Sequence, residues 1–145
     1  DNCLESLPSE IAYLKKLKWL SIDRNSLSSI TILSKLVSLK WLSVENNKLS
    51  EIPKEFCVKL INLEFFSFVG NTDVQFIPST IVKLERLGEL RCDHRLRLPP
   101  ELEADLSPVE IFTYLESIFC KYHLHYNKKA HWLPDKSADK CMKCQ

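Results

Sequence analysis

The sequence of 145 residues contains only two glycines, Gly70 and Gly88. Two isolated glycines cannot build the glycine-rich loop that binds nucleotide phosphates. The sequence also has no run of 18 apolar residues, so it predicts no transmembrane segment. Its 20 basic and 19 acidic residues give a formal net charge of only +1. This near balance predicts no nucleic-acid binding and no general attraction to anionic membranes.

Signals of secretion are also missing, because no signal-peptide core and no N-x-S/T glycosylation acceptor occurs. Of the six cysteines, Cys57 and Cys92 fall in or beside apolar positions, where a thiol packs as a small hydrophobic group. Free thiols of this kind are typical of a reducing compartment. The sequence therefore predicts a cytoplasmic protein.

A repeated spacing of apolar residues and asparagine runs along most of the chain. The clearest copy has Leu39, Leu42, Val44, Asn47 and Leu49, and equivalent residues recur at offsets of 22, 24 and 24 positions. The pattern L-x-x-L-x-L-x-x-N-x-L at a period of about 20 to 29 residues resembles the leucine-rich repeat. This resemblance predicts an α/β solenoid with a parallel sheet on a concave face and short helices or 3₁₀ turns on the convex face. The strands are expected at residues 17–22, 39–44, 63–68 and 87–92.

Three asparagines, Asn25, Asn47 and Asn71, follow their strands at the same position in each unit. We expect this asparagine ladder to bond backbone groups of its own turn and of the next repeat. Pro8, Pro53 and Pro78 precede the segments expected to form the convex turns. Asn2 occupies the asparagine position of a unit that has no strand, which predicts a truncated first repeat with further repeats upstream.

The strand positions that face away from the core decide what such a sheet binds. Trp19, Trp41 and Phe65 recur at one of these positions and form what we call the aromatic strip. Tryptophan is enriched in the energetically dominant part of interfaces, so the strip predicts contact with a protein partner. The alternative is that another segment of the same chain covers it. The candidate partner-binding residues are Trp19, Trp41, Phe65, Asp23, Arg24, Glu45, Arg91 and His94.

The repeat pattern ends where Arg95 takes the asparagine position. The repeats are therefore assigned to residues 1–106, and a C-terminal capping helix with a linker is assigned to residues 107–130, since Ser107-Pro108-Val109-Glu110 is a capping box. The run from Leu98-Pro99-Pro100 to Tyr114-Leu115 resembles cytosolic leucine-rich repeats of the plant intracellular Ras-group-related kind. That resemblance implies protein-binding surfaces and no enzyme.

The last segment, residues 131–145, contains Trp132-x-x-Asp135 followed by Cys141-x-x-Cys144. It resembles the opening of a FYVE zinc finger, which binds two zinc ions and the head group of phosphatidylinositol 3-phosphate. The resemblance implies that Asp135 contacts lipid in a complete finger and that Cys141 and Cys144 are ligands of the first zinc. It also implies an early-endosome location. Two cysteines leave that site incomplete, so zinc should be absent or partial here.

Other interpretations of the two cysteines remain open. His123, His125 or His131 could complete a Cys₂His₂ site, or the cysteines could form a reactive dithiol. They could also open a RING finger, in which case the repeats would select substrates for a ubiquitin ligase. Our interpretation is a non-enzymatic adaptor for signalling or trafficking, because serine, histidine and aspartate are scattered over repeating surface positions.

Overall fold

The computed structural model describes residues 2–93, which form one parallel sheet with short helices behind it. The strands are β1 (Trp19–Ser21), β2 (Trp41–Ser43), β3 (Phe65–Ser67) and β4 (Glu89–Arg91), and they pair in chain order. All three pairings are parallel. The predicted solenoid is therefore confirmed, although each strand has three residues where the sequence suggested six.

The convex side carries one short helical segment in each unit. These are the 3₁₀ helices Ser9–Tyr13, Thr31–Lys35 and Ser79–Lys83 and the α-helix α1 (Lys54–Lys59). Three of them begin directly after a proline in extended conformation, whose fixed φ suits the first turn of a helix. The second unit lacks this proline. There the Ser29 hydroxyl accepts a hydrogen bond from the Thr31 amide at 3.2 Å and starts the helix instead.

The core lies between the sheet and the convex helices and consists of stacked rows of leucine and isoleucine. The largest side chains in it are Phe56, Phe66 and Phe68, whose neighbouring ring centroids are 5.0 Å apart. Cys57 and Cys92 are buried among them as predicted. Burial raises the pKa of the Cys57 thiol to about 12, although a hydrogen bond with Thr80 opposes the shift. Burial, together with the nearby Asp93 carboxylate, also raises the pKa of Cys92.

The asparagine ladder is present, but its direction differs from the prediction. The Asn47 side-chain amide donates to the carbonyls of Val44 and Ile22, and its oxygen accepts the Leu27 amide, each at 3.0 Å. Ile22 and Leu27 belong to the preceding unit, so the expectation that each asparagine reaches the next repeat was wrong. The reason is the path of the chain, since the turn after each strand lies over the strand end of the unit before it.

The first residues continue the same pattern. The Leu4 amide donates to the Asn25 side-chain oxygen at 3.2 Å, as Leu27 does to Asn47. The segment therefore lies in register with the later units, which confirms the alignment of Asn2 with Asn25. Among residues 2–93, no helix has both the length and the apolar composition needed to cross a bilayer. The predicted capping helix, the finger segment and the boundary at residue 106 lie outside the described residues.

Candidate protein-binding surface

The register of the sheet brings the aromatic strip together. Trp19 pairs with Trp41, and Trp41 pairs with Phe65, along neighbouring strands. The Trp41 and Phe65 rings are stacked, with centroids 4.8 Å apart and an angle of 7° between their planes. Both rings are half-buried, whereas Trp19 is 65% exposed. The strip therefore consists of a rigid stacked pair and one exposed tryptophan at its end.

Arg91 extends this row past Phe65. Its guanidinium carbon lies 5.2 Å from the centroid of the Phe65 ring, which is within the range of a cation–π interaction. The Arg91 Nε also contacts the Glu89 carboxylate at 2.5 Å. Because Glu89 is the residue paired with Phe65 across the sheet, the strip ends in an ion pair that is positioned by the same strand register.

The predicted acidic residues Asp23 and Glu45 already have partners within the fold. The Asp23 carboxylate accepts hydrogen bonds from the Ser43 hydroxyl at 2.6 Å and from the Glu45 amide at 2.7 Å. It also accepts one from Ser21 at 2.9 Å, and the Glu45 carboxylate accepts one from the hydroxyl of Ser67. We call these five residues the acid–serine network. The carboxylate oxygens of Asp23 and Glu45 thus join neighbouring units. Partner binding by these two residues stays a prediction.

This network was not anticipated from the sequence. Ser43 and Ser67 alternate with core residues along their strands, which predicts exposure, but both are buried and donate to the carboxylates. The available signal was the recurrence of serine at the end of each of the first three strands, with an acidic residue two positions later in two of them. The bonds join residues that are 20 or 22 positions apart, so they follow only once the strand register is known.

Arg24 lies in the turn after β1 and has a left-handed backbone with φ of 55°. Asn46 and Gly70 occupy the same place in the next two units and are also left-handed, with φ of 52° and 78°. Arg24, Asn46 and Gly70 therefore form a row of turn residues, of which Arg24 and Asn46 are exposed. The predicted site residue His94, the lipid residue Asp135 and the cysteines Cys141 and Cys144 lie outside the described residues.

Comparison with known proteins agrees with this architecture. A sequence model described as Leucine Rich Repeat matches residues 38–59, a segment that contains β2 and α1. No match to the chain was found among the curated proteins. Among solved structures, the chain is similar to the LRR protein LIC12759 of Leptospira interrogans, with a TM-score of 0.60 and 28% sequence identity. The match covers 79% of this chain and 27% of that one.

The chain thus spans about a quarter of the length of this similar structure. The repeated spacing, the parallel sheet in chain order, the asparagine ladder and both matches agree with one another. Residues 2–93 are a leucine-rich-repeat solenoid.

Proposed function

We propose that the chain is a non-enzymatic protein-interaction module whose concave face holds a protein partner, with Trp19 as the main anchor. The observation that carries the proposal is the 65% exposure of Trp19 beside the stacked Trp41 and Phe65 rings. Leucine-rich repeats commonly present such a face as an extended binding surface. An exposed tryptophan next to rigid aromatic neighbours has the composition typical of the centre of an interface.

The three rings are not equivalent as anchors. The stacking of Trp41 on Phe65 occupies one face of each ring, and Arg91 lies over Phe65 as well. Trp19 has most of its surface available. A tryptophan can bury roughly 150–250 Å², so at about 25 cal/mol per Å² the gross gain from Trp19 could reach several kcal/mol before the costs of association.

The test compares two exposed aromatic residues at different places on the surface. Trp19→Ala removes the proposed anchor, and Tyr13→Ala removes a ring that is even more exposed and lies at the end of a convex helix. Both variants should melt at nearly the wild-type temperature. Proteins captured from cell extract by the wild-type chain should be reduced at least roughly tenfold with Trp19→Ala and retained with Tyr13→Ala.

Trp41→Ala gives a third, different expectation. It removes one partner of the stacked pair, which should cost about 0.5–1.5 kcal/mol beyond the lost burial, so both stability and binding should fall. If Trp19→Ala keeps every partner of the wild-type chain, the aromatic strip is structural and the proposal is wrong.

We further propose that residues 131–145 open a FYVE-type finger that would bring the module to early endosomal membranes from the cytoplasm. The motif Trp132-x-x-Asp135 before Cys141-x-x-Cys144 supports this over the RING alternative. The two thiolates would hold zinc, which would supply structural stability to the finger. In a chain that contains a whole finger, binding to phosphatidylinositol 3-phosphate vesicles would support the proposal, and ubiquitin transfer without such binding would favour the RING. For the present chain, elemental analysis should find less than one zinc per molecule.

A further inference from the structure

Positive charge is concentrated along one edge of the solenoid. Each unit has a turn that runs from the last residue of the convex helix to the residue before the strand, at 13–18, 35–40, 59–64 and 83–88. These turns contain eight of the twelve lysines and arginines in residues 2–93, but only two of the eleven aspartates and glutamates, Glu64 and Glu85. We call the four turns the basic edge.

The four turns form one continuous surface. The Lys15 ammonium donates to the Lys35 carbonyl at 3.0 Å, which joins the first turn to the second. The Asn62 amide donates to the Val37 carbonyl at 3.0 Å, and the Arg86 guanidinium donates to the Asn62 side-chain oxygen at 3.0 Å. Each turn therefore contacts the next, and the charges on them act together.

Most of this charge is not neutralised within the described part of the chain. One ion pair lies on the basic edge, between Lys40 and Glu64 at 2.6 Å. Within residues 2–93, no carboxylate lies within ion-pair distance of five exposed lysines of the edge, namely Lys16, Lys18, Lys35, Lys59 and Lys83. Three of these end a helix, where a cation stabilises the helix dipole. That explanation does not cover the remaining lysines, which lie in the turns themselves.

Exposed aliphatic side chains stand among the lysines. Val37 is 46% exposed and Ile61 is 55% exposed, and they occupy the same position in adjacent turns. Tyr13, at the start of the first turn, is also exposed. Lysine with aliphatic and aromatic side chains is the composition that binds at the boundary between lipid head groups and acyl chains.

We propose that the basic edge docks onto a membrane surface containing anionic lipids. The unpaired lysines would lie against the head groups, and Val37 and Ile61 would insert below them. Seven of the eight cations are lysines, whose point charge suits a diffuse anionic surface better than the bidentate recognition for which arginine is adapted. The aliphatic side chains favour a bilayer over a nucleic acid, because phosphodiester contacts would leave them exposed. The formal net charge of +1 does not indicate this surface. Basic and acidic residues cancel in the sum, although most of them lie on different parts of the fold.

The test measures sedimentation of the whole chain with vesicles of phosphatidylcholine alone or mixed with phosphatidylserine. The chain should bind only the mixed vesicles, and binding should decrease sharply at about 0.5 M salt because surface electrostatics is screened. Lys16→Gln/Lys59→Gln should weaken binding at least roughly tenfold, since each lysine near an anionic leaflet contributes a factor of about five. The matched control Lys48→Gln/Lys54→Gln removes two exposed cations outside the basic edge and should change binding by less than about twofold.

A second variant separates the apolar contribution. Val37→Ser/Ile61→Ser keeps every charge and changes only exposed side chains, so the fold should persist while binding falls roughly tenfold. Three results would overturn the proposal. They are no binding to the mixed vesicles, equal losses for the edge and control lysine variants, or binding of double-stranded DNA that the lysine variants weaken while vesicle binding is absent.

Discussion

Gly70 is the residue at which the turn geometry is most demanding. Its φ is +78°, and a Cβ added there would lie 2.4 Å from the Asn46 side-chain oxygen. Arg24 and Asn46 adopt the same left-handed conformation with side chains present, so the conformation alone does not require glycine. Glycine is required because Asn46 of the preceding unit approaches this position closely. We therefore attribute Gly70 to the packing of one turn against another.

Gly70→Ala should lower the free energy of unfolding by about 1–3 kcal/mol for two reasons. The new methyl group must displace the Asn46 side chain, and alanine disfavours the positive φ of this position. Gly88→Ala is the matched control. The nearest atom to its added Cβ is the Glu64 carbonyl oxygen at 3.8 Å, which is ordinary contact. It should leave stability unchanged or raise it by up to about 1 kcal/mol. Urea titrations of both variants test the pair, and equal effects would contradict the packing argument.

The buried thiols should make the fold sensitive to alkaline pH. The Cys57 pKa is about 12 in the fold against 9.0 for an ordinary thiol, because burial disfavours the thiolate. Since the folded pKa is raised, the stabilisation is complete below pH 9.0 and is lost as pH rises toward 12.

In this pH window the unfolding free energy should fall by about 1.4 kcal/mol per pH unit for each such thiol. Unfolding by urea at about pH 8 and about pH 10.5 should show the decrease. Cys57→Ala should reduce the slope, whereas Cys3→Ala, at an exposed thiol, should not. A slope that both variants leave unchanged would assign the pH dependence to other groups.

At the scale of the repeating element, local spacing was sufficient to predict the strands, their register and the proline-led turns. It was not sufficient for contacts between units. The ladder direction, the Asp23 to Ser43 bond and the stacking of Trp41 on Phe65 all depend on how one unit lies on the next. Residues that are 20 or more positions apart meet there, and a pattern within one unit carries no information on their distance. The spacing therefore placed Trp19, Trp41 and Phe65 on adjacent strands correctly, whereas partner binding by this surface stays a prediction.

The asparagine ladder gives a prediction at this scale. Asn47 is buried and bonds both its own turn and the preceding unit, so Asn47→Ala should cost about 1–3 kcal/mol by leaving backbone groups such as the Leu27 amide unsatisfied. Asn25 is only partly buried, and its amide donates to the carbonyls of Ile22 and Asp23. Water can replace part of these bonds, so Asn25→Ala should cost less. Chemical denaturation of the two variants tests this order, and a larger loss for Asn25→Ala would contradict it.

At the scale of the whole molecule, the solenoid has a thin core in which each unit packs only against its neighbours. Leu42, Phe66 and Leu90 are fully buried, but the equivalent Leu20 in β1 is half-buried. Charge varies across each unit instead, because eight of the twelve lysines and arginines of residues 2–93 lie on the basic edge, whereas nine of the eleven aspartates and glutamates lie elsewhere. Burial therefore varies from one unit to the next along the solenoid, whereas charge varies from one side of each unit to the other.

Hydrogen exchange should show that local stability differs between the first and second units. The amides of Ile22 and Val44 occupy equivalent positions and donate to the next unit at the same distance, 2.9 Å. Val44 is 0% exposed with neighbours on both sides, whereas Ile22 is 8% exposed above the half-buried Leu20. Opening the first unit breaks one full interface and the few bonds to residues 2–8, but opening the second breaks two full interfaces. The Val44 amide should therefore exchange at least about tenfold more slowly, a difference of roughly 1.4 kcal/mol. Because the two hydrogen bonds have equal length, equal exchange rates would show that the described units open together, and the nearest-neighbour account of the core would then fail.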